Sequence, residues 1–403
     1  MHTLRLFVRT QKRNLILAGI FLCILGPFFL YSQLFGKYGL RNPFPFESVA
    51  SYLRTEFLTC YGTEEYRDNV WRSDCYQELG NRVTAHFELP AALKGLAEIQ
   101  DEPQIRGWCH AFGHVLGQRE FKKTGSISQS FLACSTDIAC GEGCFHGTLE
   151  GYLQAHGGAV TKEVIQNACK EEEAGNRVTY DACIHGLGHA AMLQTNNDIA
   201  KALPFCDYIA DTHDQGICYT GVFMEDTFSF NGGKGNSTVD KDNPEYPCTE
   251  LAAKYQHQCY ASRSTFVLQQ SRADYAKTSL FCNRIPPAFR TDCYGTFGAQ
   301  AVLLSDDMTY VASVCSGIER AEDRESCFEQ ATIFKGFATG GDVQGYADLC
   351  NAAPEKDKAV CLALSGEDLA RWYPGKRAEK CLMFTKSDSE EYQYCAGTKE
   401  ILN

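Results

Sequence analysis

The chain has 403 residues, 44% of them hydrophobic and 22% charged, which is enough for two or three ordinary domains or for one long repeat array with a sizeable core. Its net charge of −12 argues against a nucleic-acid-binding protein, because such a protein needs a basic face to neutralise phosphates. The sequence also contains no P-loop, no HExxH motif and no nucleophile elbow, so none of those common catalytic sites is expected.

The N-terminal segment is typical of a membrane anchor. Residues Leu15–Tyr31 are uncharged and almost wholly apolar, and with the next four residues they reach the roughly 20 residues that span a bilayer. Four basic residues precede this segment, so the positive-inside rule predicts a cytoplasmic tail at 1–14, a transmembrane signal anchor at 15–35 and a linker at 36–51. A cleaved signal peptide is the alternative. Either interpretation places the body, residues 52–403, in the lumen of the secretory pathway, at the cell surface or in the periplasm.

Cysteine usage supports an exported body. Of the 21 cysteines, 20 lie beyond the predicted anchor, and an even number in an exported chain predicts a disulfide framework. The sequon Asn236-Ser237-Thr238 predicts a glycosylated loop if the source is eukaryotic.

One series of cysteines recurs at a nearly constant interval, which predicts a repeat protein. Their separations are 34, 35, 39, 35, 41, 34, 34, 34 and 34 residues. The series comprises Cys75, Cys109, Cys144, Cys183, Cys218, Cys259, Cys293, Cys327, Cys361 and Cys395.

A second series precedes the first by 11 to 15 residues, and polar, turn-like residues separate the two. We therefore predict a helix, a cysteine, a turn, a second cysteine and a second helix in each unit, with a disulfide that closes the hairpin. For Cys109, which lacks the usual upstream partner, Cys134 and Cys140 both remain open. The predicted pairs are Cys60/Cys75, Cys169/Cys183, Cys206/Cys218, Cys248/Cys259, Cys282/Cys293, Cys315/Cys327, Cys350/Cys361 and Cys381/Cys395.

These patterns predict an all-α fold: a right-handed α-solenoid of about ten helix-turn-helix repeats after one transmembrane helix. The 34-residue period resembles that of tetratricopeptide and related helical repeats, although the consensus residues of that family are absent and the likeness covers period and element order only. An aromatic residue commonly follows the repeat cysteine, and we expect it to fill the space between stacked hairpins. These aromatic residues are Tyr76, Phe145, Tyr219, Tyr260, Tyr294 and Phe328.

Five of the ten histidines fall in three short patches between positions 108 and 194. Each patch places two metal-ligand side chains four residues apart, and on an α-helix this spacing puts both on one face, one turn apart. The other histidines, such as His86, His156, His213 and His257, are interpreted as ordinary surface or core residues. The three ligand pairs are His110/His114, His146/Glu150 and His185/His189.

Counted from the repeat cysteine, His146 and His185 occupy position +2, while Glu150 and His189 occupy position +6. Equivalent positions on adjacent stacked helices lie roughly 8–10 Å apart between axes, so these four groups are expected to converge. His110 and its partner fall one position earlier, which would rotate them by about 100° on an ideal helix, so we consider their membership in the site less secure.

Six candidate ligands exceed what one tetrahedral ion needs, so the pattern predicts one or two divalent transition-metal ions. Histidine-rich ligation favours zinc, copper or iron over calcium or magnesium, and an oxidising compartment ranks zinc and copper above iron. Within this site, Glu150 is either a metal ligand or a general base, and His110 and His114 are either further ligands or proton carriers.

Two functions follow from this pattern. The favoured one is a metalloenzyme, a hydrolase or oxidoreductase that acts on a lumenal or extracellular protein or small molecule. The alternative is a non-enzymatic scaffold for protein or peptide recognition, whose histidines tune binding with pH. Metal content separates these two hypotheses.

Overall fold

The computed structural model describes residues 48–61, 74–100, 102–134, 140, 143–157, 160–170, 177–231 and 237–399. Within these residues every regular element is a helix, and none of the helices is long and apolar enough to cross a membrane. The predicted tail, the predicted anchor at 15–35 and most of the linker lie outside the described residues, as does Asn236 of the sequon. The architecture below is that of the compact unit that spans residues 53–403.

The described residues form 19 α-helices and two short 3₁₀ helices, in agreement with the predicted all-α class. The helices are α1 (Val49–Tyr61), α2 (Asp74–His86), α3 (Leu89–Ala97), α4 (Pro103–Thr124), α5 (Ile127–Cys134), α6 (Gly143–Ala155), α7 (Lys162–Asn167), α8 (Arg177–Gln194), α9 (Ile199–Cys206), α10 (Thr212–Asn231), α11 (Ala253–Gln270), α12 (Tyr275–Cys282), α13 (Arg290–Leu304), α14 (Met308–Ser316), α15 (Ala321–Thr339), α16 (Val343–Ala352), α17 (Glu355–Trp372), α18 (Arg377–Cys381) and α19 (Glu390–Ala396), with 3₁₀ turns at Cys248–Glu250 and Pro287–Phe289.

All eight predicted hairpin disulfides are present. Of the two partners that the sequence left open for Cys109, the structure has Cys140, and Cys134 pairs with Cys144. The Cys134–Cys144 bond follows the ordinary hairpin pattern, whereas Cys109–Cys140 spans 31 residues and ties the start of α4 to the segment before α6.

The helices that carry the repeat cysteines stack side by side in chain order, in the order α2, α4, α6, α8, α10, α11, α13, α15, α17 and α19. Shorter helices such as α9, α12, α14 and α16 contact the long helices before and after them and complete each hairpin. The six predicted aromatic residues are all buried, which confirms their expected packing role. The right-handed sense of the array stays a prediction.

The stack departs from a simple row because α17 returns to contact α8. Arg371 on α17 donates from Nη2 to Asp181 on α8 over 2.6 Å and from Nη1 to Asp368 over 3.0 Å. Asp181 also pairs with Arg177, whose guanidinium contacts Asp214 on α10. Contacts between successive long helices, together with this return contact, therefore close α8, α10, α11, α13, α15 and α17 into a ring.

Candidate metal centre

The candidate metal centre lies on two helix pairs, and glycines hold the helices of each pair together. In the first pair, α4 and α6, a Cβ added at Gly117 would lie 2.0 Å from the carbonyl oxygen of Cys144. A Cβ added at Gly147 would likewise lie 2.0 Å from the carbonyl oxygen of His114. Because glycine has no side chain, the two backbones touch directly, and histidines on their facing sides are brought within reach of one another.

The second pair, α8 and α10, repeats this construction. A Cβ at Gly188 would lie 2.1 Å from the carbonyl oxygen of Cys218, and one at Gly221 would lie 2.1 Å from that of His185. The two helix pairs are therefore built on the same close approach, and each brings a His-x-x-x-His turn against the following long helix.

In the first half of the centre, His110 and His114 lie one turn apart on α4, with their Nε2 atoms 3.2 Å apart. The Nδ1 atom of His114 lies 2.9 Å from Oε1 of Glu150 on α6, and the Nδ1 atom of His110 lies 3.1 Å from the carbonyl oxygen of Cys140. Gln118 donates a hydrogen bond to the other oxygen of Glu150. Each Nδ1 thus faces an acceptor, and the two Nε2 atoms face each other.

In the second half, His185 and His189 on α8 have their Nε2 atoms 3.1 Å apart. The Nδ1 atom of His189 lies 3.1 Å from Oε2 of Glu225 on α10. The Nδ1 atom of His185 lies 2.7 Å from the hydroxyl oxygen of Thr220, which donates its own proton to the carbonyl oxygen of Ile217 over 2.6 Å. That hydroxyl must therefore accept from the imidazole, so the second half reproduces the bonding of the first.

His146 on α6 lies between the two halves and is 1% exposed. Its ring centroid is 5.3 Å from that of His110 and 5.2 Å from that of His114. The corresponding distances on the other side are 5.0 Å to His185 and 4.3 Å to His189. Two sets of three potential ligand atoms lie within 4.8 Å of one another, His110/His114/His146 and His146/His185/His189, and this histidine belongs to both.

Burial sets the charge of these rings. It lowers the pKa of His110, His146 and His185 well below the ordinary value of 6.5, and repulsion from neighbouring imidazoles lowers it further. These rings are therefore neutral near pH 7. Burial by itself raises the pKa of Glu150, but electrostatic attraction to His114 and hydrogen bonds from His114 and Gln118 outweigh it and keep the carboxyl group ionised.

The proton positions follow from these contacts. A carbonyl oxygen or an ionised carboxylate only accepts, so His110 and His114 both donate from Nδ1. The neutral ring of His110 then has its lone pair on Nε2, which lies 3.2 Å from Nε2 of His114, and a cation between these two nitrogens could be bound by both rings. Two imidazole nitrogens at 2.0–2.1 Å from one tetrahedral ion lie about 3.3 Å apart, close to the spacing found here. The residues present therefore fit a transition-metal ion.

The five rings differ in exposure. His114, His146 and His189 are each 1% exposed, whereas His110 and His185 are partly exposed. Among these rings, His110 and His185 are therefore the two that solvent or a small molecule can contact.

The structure brings all six sequence-predicted site residues into one cluster, including the His110/His114 pair that the helix phase made less secure. The offset of one residue from the repeat cysteine does not separate this pair from the others, because α4 and α6 pack together as a unit. In both halves the acid follows the second histidine by 36 residues, at 114/150 and at 189/225. Glu150 lies at Nδ1 of His114 as a hydrogen-bond acceptor, and the converging ligand sets contain histidines alone.

Sequence reasoning missed Glu225 and Thr220 as members of the site. Glu225 lies at +7 from its repeat cysteine and Glu150 at +6, so counting from the cysteine hid their equivalence. Counting 36 residues on from the second histidine of each pair reveals it.

Comparisons of the chain with protein-family models, with curated proteins and with solved structures find no match for it.

Proposed function

We propose that the protein is an extracytoplasmic, membrane-anchored metal-binding protein with a buried histidine centre, and that it is a metalloenzyme. The single observation that carries the proposal is the pair of Nε2–Nε2 contacts at 3.2 and 3.1 Å between rings whose Nδ1 atoms face acceptors. Imidazoles that donate from Nδ1 can direct their Nε2 atoms at one point, which is the arrangement that a metal ion requires. The anchor in this proposal is the predicted segment 15–35.

The donor set and the compartment narrow the choice of metal. Five imidazole nitrogens and no carboxylate in the converging sets favour zinc or copper over calcium and magnesium. Ten disulfides indicate an oxidising, extracytoplasmic environment, in which iron(II) is less favoured than zinc or copper.

The residues around the rings support catalysis on a small molecule. A bound zinc or copper ion would supply Lewis acidity for hydrolysis or, in the case of copper, redox chemistry. Glu150 fixes the orientation and tautomer of His114, and the partly exposed His110 and His185 border the route by which a substrate would enter. Among these groups, Glu150 and the imidazoles that do not hold an ion are the available proton carriers.

One alternative function also has a specific observation in its favour. A proton shared between the facing nitrogens would also hold each pair together without a metal ion, and it would turn each histidine pair into an acid-sensitive element. The protein would then be a non-enzymatic helical-repeat scaffold for protein or peptide recognition that responds to pH.

Metal analysis of the full-length protein, purified from an oxidising secretory host, tests the proposal. We expect zinc or copper to co-purify, His185→Ala to reduce the metal content by at least half, and His213→Ala, at an exposed position on α10, to leave it unchanged. Metal-free protein that also fails to take up zinc or copper from buffer would refute the proposal and favour the scaffold.

A further inference from the structure

We infer that the centre binds two metal ions, that each is held by three imidazoles, and that His146 is a ligand of both. The inference rests on the proposed metal-binding function and goes beyond it. Its starting point is the duplication described above: each half has two histidines one turn apart, an acid 36 residues after the second histidine, and a glycine contact between helices.

Ring positions argue for two ions over one. Three imidazoles on one tetrahedral ion have their ring centroids about 5 Å apart, given metal–nitrogen distances of 2.0–2.1 Å. In the first set, the distance between the centroids of His110 and His114 is 4.9 Å, and those from both to His146 are 5.3 and 5.2 Å. In the second set the three distances are 5.0, 5.0 and 4.3 Å. Each set alone therefore has the dimensions of a complete three-histidine site.

The two sets join only through the central ring. His114 and His189, the inner members of the two pairs, have centroids 6.0 Å apart, farther than any distance within a set. His146 can serve both ions because imidazole has two ring nitrogens on opposite edges. Its ring now lies at 28° to that of His185 and 31° to that of His189, so binding of the second ion turns it about its Cβ–Cγ bond to present an edge.

Charge balance also favours a shared ring. When both nitrogens of His146 bind metal, the ring loses one proton to solvent and becomes an imidazolate with a charge of −1. Together with the carboxylates of Glu150 and Glu225 this gives −3 in a buried site, which offsets most of the +4 of two divalent ions. With neutral histidines alone, only the two carboxylates would oppose that charge.

If each half holds its own ion, a substitution in one half should remove one ion and leave the other. In a single shared site, substitutions in either half would have the same effect. His114→Ala should remove one ion and leave the ion of the His185/His189 half, and His189→Ala should do the reverse. His146→Ala should remove the link between the halves. His213→Ala is the matched control, because that histidine is exposed and lies away from both sets.

The experiment loads the metal-free full-length protein with copper(II) and measures bound copper by mass spectrometry and its electron paramagnetic resonance signal. We expect two copper ions per chain and a signal well below that of two isolated ions, because an imidazolate couples their spins. His114→Ala and His189→Ala should each bind one copper and recover the full signal of a mononuclear ion.

Each result has one interpretation. One copper per chain in the unsubstituted protein, lost in both variants, overturns the two-ion inference and leaves the proposed metal-binding function intact. Two copper ions with an undiminished mononuclear signal overturn the shared role of His146. Failure to bind copper or zinc at all refutes the proposed function itself, so the two failures are distinguishable.

Discussion

The glycine contact between α4 and α6 gives the sharpest stability prediction. In Gly147→Ala the new Cβ would lie 2.0 Å from the carbonyl oxygen of His114, against 3.4 Å for an ordinary contact, so the helices must separate by about 1.4 Å. Overpacking of this kind costs about 1–3 kcal/mol, and the upper end applies here because backbone atoms lie on both sides of the contact. Alanine recovers about 1 kcal/mol of helix propensity. We therefore expect a net loss of about 2 kcal/mol in the free energy of unfolding.

Gly216→Ala is the matched control, since Gly216 is also a helical glycine. A Cβ at that position would meet only the tip of the Gln258 side chain, at 3.0 Å, and that side chain can turn away. The control should be neutral or more stable by up to about 1 kcal/mol, so the two variants should differ by about 2–3 kcal/mol. Urea denaturation followed by circular dichroism, with all disulfides intact, measures the difference.

The same substitution should weaken metal binding, because a separation of about 1.4 Å far exceeds the roughly 0.2 Å tolerance of metal–ligand distances. The reasoning is wrong if Gly147→Ala matches Gly216→Ala in both unfolding free energy and metal content. Loss of metal without loss of stability would mean that the helices separate more easily than the close contact implies.

Three further predictions concern charged groups. Glu225→Gln keeps the shape of the side chain but removes the negative charge beside Nδ1 of His189. Metal affinity, measured in competition with a chelator, should fall about 10–100-fold. A change below threefold would contradict the orienting role of Glu225. Arg371→Met removes one of the two arginines that pair with Asp181. Because the guanidinium of Arg371 is 29% exposed, we expect the free energy of unfolding to fall by about 1–3 kcal/mol, less than for a fully buried pair. Hydrogen exchange in α8 and α17 should become faster, and unchanged exchange would show that the contact between these helices does not depend on the ion pair. Burial alone raises the pKa of Asp207, but hydrogen bonds from one lysine and two tyrosines outweigh it and hold the pKa below its usual range. This carboxylate therefore stabilises the fold above the unfolded-state pKa of about 3.9 and loses that contribution as pH falls through the lower folded value, so Asp207→Asn should show a shallower loss of stability in acid, and an unchanged slope would refute the assignment.

The cysteine spacing predicted the fold because each disulfide joins residues close in sequence. A disulfide between cysteines 11 to 15 residues apart, one on each helix, leaves few arrangements for the hairpin. A nearly constant interval between the repeat cysteines then implies stacking of equivalent units. The contact between α8 and α17 had no such signal. Arg371 and Asp181 are 190 residues apart, and their meeting depends on how the successive units between them are oriented, which no local pattern encodes.

The site shows the same division. Its histidines were recognisable because helical spacing alone puts His185 and His189 on one face. Their partners were not, because the choice between Glu225 and its neighbour Asp226 depends on how α10 is rotated against α8. Asp226 instead forms an ion pair with the buried guanidinium of Arg263, with a nitrogen–oxygen distance of 2.6 Å. That rotation is set by tight packing at Gly188 and Gly221, a property of two helices together.

The contact between Arg371 and Asp181 also limits how this repeat protein can change in length. An open array gains or loses units freely, because every unit touches only its neighbours. Between α8 and α17 that freedom is gone: one added or deleted hairpin would alter the circumference and pull the two charged partners apart. Duplication or loss of a unit is therefore expected only outside this segment and outside the metal centre, in the hairpins that precede α4 or follow α17.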